Sequence, residues 1–448
     1  MPAADEFYEA ALRIADRKLD REGPFGPVLR PRLGTGGNFS DLFLWDTVFC
    51  IFWAKYHPER YPLENSLDNF YRLADVDGFI SRQYLPTGES KWSKEHPISF
   101  APPILAWAEL ELAEAGLFPG RLERVYPALV RHHAFCRAHF RQPDGMFFSD
   151  PFGCGLDNLP RWPRSGPDPT GGIPLRKEHI HPAFQATTGK KLLPDPRFCW
   201  NRQADWIDTS AQMAFNARNL ARIAERIGCP GREIDAYRQE HAAIAAAINR
   251  IAWSEADGFY FDTLADGTPI RRFFATSYWT LPAGVVPEER LDRYLAHLND
   301  PAKFCRPVPV PTLAADDPDY DPENGYSAGP VWIFMDYMIL RGLRSCGREA
   351  LARSIASKLF EGTLRLFRST GTIWENYSPE DSGRPAKGEP DFCGWGARAD
   401  CRPPGVSRLL NGLLLFPVSR FPDGGCIGRS TCVKKSDVPY PVGDSVPA

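Results

Sequence analysis

A chain of 448 residues with 43% hydrophobic side chains can bury a sizeable core, and its formal net charge of -3 gives nucleic acid or an anionic membrane no bulk electrostatic hold. No apolar run approaches the roughly 20 residues that cross a bilayer, and the N-terminal stretch carries early acids where a secretory signal has a basic start and an apolar core. Eleven cysteines, an odd number with no CxxC pair, argue against a disulfide framework and indicate a reduced, cytoplasmic setting with Cys50, Cys346 and Cys393 as buried thiols.

Taken in chain order, residues 3–19 place Phe7, Ala11, Ile14 and Ala15 on one helical face. Helical patterns follow at 42–56, 63–74, 102–115, 122–140, 207–227, 231–251, 288–298, 329–343, 347–367 and 405–415. Pro102-Pro103 and Asp208-Thr209 act as start signals, and Gly116, Gly228 and Gly342 fall where a left-handed residue closes a helix. Strand evidence is confined to GMFFSD (145–150) and to 258–272, which holds the hairpin dipeptide Asp266-Gly267. The 43 prolines, about twice the usual share of roughly 5%, indicate long, rigid loops. About eleven or twelve helices joined by variable loops suit an all-α ring of antiparallel helix pairs over 1–420, with one rim of loops building a site. Residues 421–448 lack periodicity and are expected to form an irregular tail.

Four segments mix aromatics, glycines and carboxylates beyond what core packing needs: GGNFSDLFLWDTVF (36–49), GCGLDNLPRW (153–162), NGYSAGPVW (324–332) and GTIWENYSP (371–379). Each begins or ends near a predicted helix terminus, where side chains reach a rim. In GCGLDNLPRW, Gly153 and Gly155 let backbone approach a ligand closely, and Pro160 stiffens the next turn. A carboxylate between glycines and a tryptophan can have its pKa raised, as a general acid requires, which makes Asp157 a candidate acid. A helix cap, or a partner for Arg161, is its other reading. Glu375, between Trp374 and Asn376, is a candidate base or else a loop-holding acceptor. Glycoside hydrolysis by inversion needs such a pair, about 6.5–9.5 Å apart, one protonating the leaving oxygen and the other activating water. Trp45, Trp162, Trp332, Trp374 and Trp395 offer faces for a sugar ring, and Asn158 and Arg161 beside Asp157 can fix its hydroxyls.

GLDNLPRW, SAGPVW, GTIWENYSPEDSG and DFCGWG resemble glycoside hydrolase family 63, particularly its short mannosylglycerate and glucosylglycerate hydrolases. GGNFSDLFLWDT is similar to the signature of the family 37 trehalases, and HPISFAPPILAW to their SQPP stretch. The matches run in order from about residue 34 to 396, and LDNxPRW with WENYxP is the specific pair. The resemblance implies an (α/α)6 barrel that hydrolyses α-linked glycosides with inversion. It implies Asp157 as general acid and Glu375 as general base, with Trp45 and Asp46 on the non-reducing sugar. Phe39 and Phe43 then stand where the relatives place aromatic pocket residues, and Tyr326 and Trp332 line the aromatic side of the cleft. The departures concern sugar contacts. Asn38 replaces a trehalase arginine, Ser327-Ala328 replace the Trp-Arg of YWRGPVW, and Ala101 stands where SQPP has glutamine. These imply a different sugar or aglycone with the catalytic pair retained.

HExxH, zinc-spaced Cys/His clusters and phosphate-binding loops are absent, so no cofactor or metal is expected. His132-His133 reads as a partly exposed helix pair. DPDYDPENG (317–325) is acidic but lacks EF-hand spacing and reads as a solvated loop. Asp205 and Asp208 read as acids at a helix N-terminus, with sugar binding as the alternative. Two other functions compete with hydrolysis. A sugar epimerase on such a barrel works through histidines, and none lies inside the four segments; a non-catalytic carbohydrate-binding protein is favoured by the lost polar contacts. The expected partner is a small carbohydrate, with no nucleic acid and no membrane, and the sequence leaves the oligomeric state open.

Overall fold

A computed structural model describes residues 2–21, 26–92, 101–149, 155–156, 159–161, 173–174, 199–200 and 204–394. Its helices are α1 (Pro2–Arg17), α2 (Leu44–Ala54), α3 (Leu63–Arg72), α4 (Leu105–Glu114), α5 (Arg121–Phe140), α6 (Ile207–Arg226), α7 (Gly231–Ile251), α8 (Thr280–Ala283), α9 (Glu288–Ala296), α10 (Ile333–Ser345) and α11 (Glu349–Thr370). A 3-10 turn, Ala275–Trp279, runs directly into α8.

The helices alternate between an inner and an outer layer, and burial shows which is which. Ten of the eleven residues of α2 and sixteen of the twenty in α6 are buried. In α7, of 21 residues, the buried ones are Ile244, Ala247 and Ile248. A helix buried on nearly every side belongs inside, and one that buries only a narrow stripe belongs outside. Inner α2 packs on α3 and α4, and α4 on α5 and α6. Helix α6 packs on α5, α7 and α8, α10 on α8 and α11, and α1 lies against α11. This is the expected (α/α)6 arrangement. The expected helix at 405–415 and the tail at 421–448 lie outside the described residues.

Aromatic rings fill the barrel axis. Trp45 meets Trp279 at 5.8 Å and Phe334 at 5.2 Å, and Trp107 meets Phe52 at 4.4 Å and Phe215 at 5.2 Å. Among the inner helices, Glu111 on α4 accepts from Lys55 at the end of α2 and from Arg341 on α10, tying three of them together.

The predicted helices match the observed ones to within a few residues at each end. The 275–283 turn was not expected, because ATSYWTLPA is short, rich in strand-favouring residues and interrupted by Pro282; burial of Tyr278 and Trp279 holds it helical. The 258–272 stretch forms its hairpin, with Asp262–Leu264 paired to Pro269–Ile270 and Gly267 at φ 83°. Gly116 and Gly228 are left-handed as expected. Gly342 is a correction: it sits inside α10, where a Cβ would come within 2.5 Å of Leu281, so it serves close packing and not a cap. His132 and His133 are a second correction, because both are buried. His132 bonds the Gly78 carbonyl and His133 bonds Asn216, and burial pushes the His132 pKa down to about 4. The acids of DPDYDPENG are not simply solvated: Arg272 takes Asp317 and Asp319 together.

No helix among the described residues is long and apolar enough to cross a membrane. The described cysteines, Cys50, Cys136, Cys229, Cys305, Cys346 and Cys393, carry free thiols.

Asp205, just before α6, is buried, and burial together with a hydrogen bond shared with Asp144 pushes its pKa up to about 8. An acid whose folded pKa is raised stays protonated while the unfolded chain ionises, so its stability contribution falls as pH rises from about 4 to 8. Asp205→Asn is therefore expected to match wild type near pH 4 and to exceed its melting temperature by about 2 °C or more at pH 8. Melting curves at the two pH values check this, and an equal gap at both would contradict it.

Candidate active site

Two short strand contacts bring distant segments to one rim. Leu42–Phe43, which lead into α2, pair antiparallel with Gln83–Tyr84, and Val331 and Tyr377 exchange backbone hydrogen bonds of 2.8 and 3.0 Å. The first contact sets Phe39, Phe43, Trp45 and Asp46 beside Arg82. The second sets Tyr326 and Trp332, just before α10, beside Glu375, just after α11. All of these line one cleft, together with Ala101, Pro102 and Gly155.

Glu375 is 4% exposed, and each carboxylate oxygen has a donor. Tyr326 Oη donates to Oε1 at 3.2 Å, and the Glu389 backbone N–H donates to Oε2 at 3.0 Å. Two donors on opposite oxygens fix the plane of the carboxylate and favour its ionised form. Tyr326 adopts φ 53°, uncommon for a residue with a side chain, and is held there by Trp332. The Trp332 indole donates to the Tyr326 carbonyl at 2.9 Å, and the two rings meet edge-on at 4.8 Å. The backbone strain lies where function is expected.

On the opposite wall Trp45 is wedged against Gly155. A Cβ at Gly155 would lie 2.4 Å from the Trp45 ring, and Gly155 has φ 90°. The close approach expected of this glycine is thus made to the tryptophan. Trp45 Nε1 is buried with no hydrogen-bond partner among the described residues. Gly155→Ala combines overpacking with a disfavoured backbone, so a loss of about 2–4 kcal/mol and at least a roughly tenfold fall in any activity are expected. Denaturant melts and steady-state rates check this; wild-type values for both would refute the wedge.

Other predicted site residues stand elsewhere. Arg161 is buried, ion-paired with Asp208 and Asp262 and with its guanidinium 3.8 Å over the Trp206 ring. Asp208 therefore spends its charge on Arg161, inside the first turn of α6. Trp374 is half-buried on the far side of its segment, its indole donating to Thr370 Oγ1 at 3.0 Å. Asp157, Asn158 and Trp395 lie outside the described residues. Their described neighbours Leu156 and Leu159 are buried.

Arg82 was not anticipated. It stands just before the strand Gln83–Tyr84, as a single arginine in the largely apolar segment FISRQYLP; a charge among apolar neighbours needs a partner or a task, and that was the available signal. Of the departures noted in the sequence, Ala101 lines the cleft, and Ser327 and Ala328 are buried. Asn38 bonds Glu389. Among the described residues no group of three or more His, Cys, Asp or Glu side chains could hold a metal ion.

Residues 42–393 match the mannosylglycerate hydrolase MGH1-like glycoside hydrolase domain. Mannosylglycerate hydrolase from Rubrobacter radiotolerans is 30% identical over 388 residues, 75% of this chain and 85% of that protein. Periplasmic trehalase from Pseudomonas aeruginosa is 24% identical, over 78% of this chain and 66% of the enzyme. Against two other curated relatives the chain spans 62% and 52% of their length. In three dimensions, a glycoside hydrolase family 63 mannosylglycerate hydrolase from Thermus thermophilus, in complex with glucose, superposes with a TM-score of 0.66 at 20% identity, over 88% of this chain and 98% of that one.

Proposed function

The chain belongs to the mannosylglycerate hydrolase MGH1-like glycoside hydrolase family, and from that premise we propose that it hydrolyses a small α-linked glycoside with inversion, using Asp157 as general acid and Glu375 as general base. The observation that carries this reading is the convergence of Gly155, two residues before Asp157, with Glu375 in one aromatic cleft.

In this mechanism the Asp157 carboxylic acid protonates the glycosidic oxygen as the bond to the anomeric carbon breaks. Glu375 takes a proton from a water whose oxygen bonds that carbon from the opposite face. Tyr326 and the Glu389 amide keep Glu375 ionised and aimed. Asp46 and Arg82 hold sugar oxygens, and the buried Trp45 Nε1, without a partner among the described residues, supports a further contact to a hydroxyl. Phe39, Phe43 and Trp332 stack against the apolar face of the ring. The relatives act, by their names, on mannosylglycerate and on trehalose, so a glucoside, a mannoside or a disaccharide is the substrate class. Ala101 in the cleft wall favours a sugar or aglycone different from theirs. The free thiols support a reducing, cytoplasmic location.

The test is incubation with aryl α-glucoside, aryl α-mannoside, trehalose and glucosylglycerate, with the first-formed anomer followed by NMR. A β-anomer released from at least one α-glycoside is expected. From the aryl glycosides or glucosylglycerate a first-formed α-anomer would overturn inversion; from trehalose, which releases one α-glucose as leaving group in either case, the absence of an equal share of β-glucose would do so. Binding without turnover would favour a carbohydrate-binding protein on this scaffold, and an epimerised, unhydrolysed product would favour an epimerase.

A further inference from the structure

A strap of chain, residues 385–394, passes directly behind Glu375. The Glu375 N–H donates to the Glu389 carbonyl at 2.9 Å, and the Glu389 N–H returns to Glu375 Oε2 at 3.0 Å. Both ends of the strap are pinned. At one end the Lys387 N–H donates to the Glu323 carbonyl at 2.8 Å, and Asn376 donates to the Lys387 carbonyl at 3.0 Å. At the other, Thr372 Oγ1 donates to Asp391 at 2.6 Å, and the Cys393 and Gly394 amides share the Thr35 carbonyl.

The middle of the strap is held from across the cleft rim. Asn38 Nδ2 donates to Glu389 Oε2 at 2.9 Å. Gly37 lies so close that a Cβ there would be 2.9 Å from the Glu389 Cβ, and its own N–H donates to the Asp391 carbonyl at 2.9 Å. The loop continues into Phe39, whose ring meets Phe43 at 5.7 Å and Phe392 of the strap at 5.9 Å. The rim loop 36–39 and the strap behind the catalytic carboxylate are therefore one packed unit.

We propose that Asn38 and Glu389 form a clasp that positions Glu375: the side-chain bond between them fixes the Glu389 amide, and that amide sets the orientation and ionisation of Glu375 Oε2. This rests on Glu375 being the general base. Asn38, where trehalases carry arginine, then acts on the reaction through Glu389 and not by touching sugar. An amide donated to a carboxylate favours the charged form, so loosening it raises the Glu375 pKa. Removing the Glu389 charge while keeping an acceptor for Asn38 acts in the opposite direction, because a like charge is lost. The two effects have opposite signs and can be told apart.

The experiment compares wild type with Asn38→Ala, Glu389→Ala, the double variant and Glu389→Gln, by steady-state kinetics across pH and by amide hydrogen exchange over 385–392. If the clasp positions Glu375, either alanine variant lowers kcat about five- to tenfold with KM within about twofold, and the double variant is no worse than either single one. The acidic limb of kcat/KM moves to higher pH in Asn38→Ala; in Glu389→Ala and the double variant the lost Glu389 charge offsets that shift, so their limbs lie below that of Asn38→Ala, while exchange in the strap quickens to a similar degree in all three. Glu389→Gln restores most of the kcat lost in Glu389→Ala and leaves the acidic limb at or below its wild-type position. Additive effects in the double variant, a change in KM alone, or unaltered strap exchange would overturn the clasp. If wild type hydrolyses none of the glycosides, the functional reading fails, and the exchange measurement still decides whether the clasp holds the strap.

Discussion

Glu375→Gln is expected to lower kcat by about a thousandfold or more with KM little changed, because a general base contributes typically 10²–10⁴-fold. The substitution is nearly isosteric and the site is made to accept it. Gln Oε1 can still take a hydrogen bond from the Glu389 amide or from Tyr326, so fold and sugar binding survive while the group that removes the proton is gone. Tyr326→Phe is the graded companion. It removes the 3.2 Å hydrogen bond to Oε1 and leaves the Glu389 amide on Oε2. A donor favouring the ionised form is lost, so the Glu375 pKa rises and the acidic limb of kcat/KM shifts to higher pH. Its kcat should fall by about tenfold. Steady-state rates across pH, with melting curves to show that both variants fold, check the pair. Turnover within tenfold of wild type in Glu375→Gln would remove Glu375 from the mechanism.

Glu111→Ala is expected to cost about 3–5 kcal/mol of stability. Glu111 is 3% exposed and lies between Lys55, Arg341 and the Trp107 indole, with Arg341 at 2.7 Å and Trp107 Nε1 at 3.2 Å. Deleting the carboxylate leaves two cations facing each other in a buried setting. Burial alone would raise the pKa of Glu111, but Arg341 and Lys55 outweigh it and bring it down to about 2. A depressed acid pKa stabilises the fold above the unfolded value near 4.3 and loses that contribution as pH falls toward 2. The destabilisation should therefore be full at pH 7 and shrink on acidification below about pH 4. Denaturant melts at pH 7 and pH 3 test it. Arg353→Ala, which breaks an exposed pair with Glu349 in α11, should change stability by less than about 0.5 kcal/mol. A similar small loss in Glu111→Ala would show that the hub does not tie α2, α4 and α10 together.

The cleft could be read from the sequence to the extent that its residues advertise themselves locally. Phe39, Phe43, Trp45, Asp46, Tyr326, Trp332 and Glu375 stand in segments where aromatics and carboxylates crowd a helix end, and the structure lines one cleft with them. Arg161 stands in the same kind of segment yet is paired with Asp208 and Asp262. Nothing around Arg161 in the chain distinguishes a sugar-binding arginine from a buried structural one, because Asp262 arrives from the 258–272 hairpin. Arg82 shows the converse: an unremarked residue becomes part of the site because the strand that follows it, Gln83–Tyr84, pairs with Leu42–Phe43. The exposure expected of His132-His133 failed for the same reason, since Gly78 and Asn216 reach them from other elements.

By itself the sequence determined where most of the helices lie and which carboxylates and aromatics sit at their ends. Those properties depend on spacing over a turn or two, and periodicity carries them directly. The tertiary structure alone decided which of these residues meet, that Arg161 and Asp208 neutralise each other, that Gly155 is a seat for Trp45, and that Asn38 reaches Glu389. Such contacts are set by how twisted and packed elements bring distant positions within a few ångströms. No local pattern records that distance.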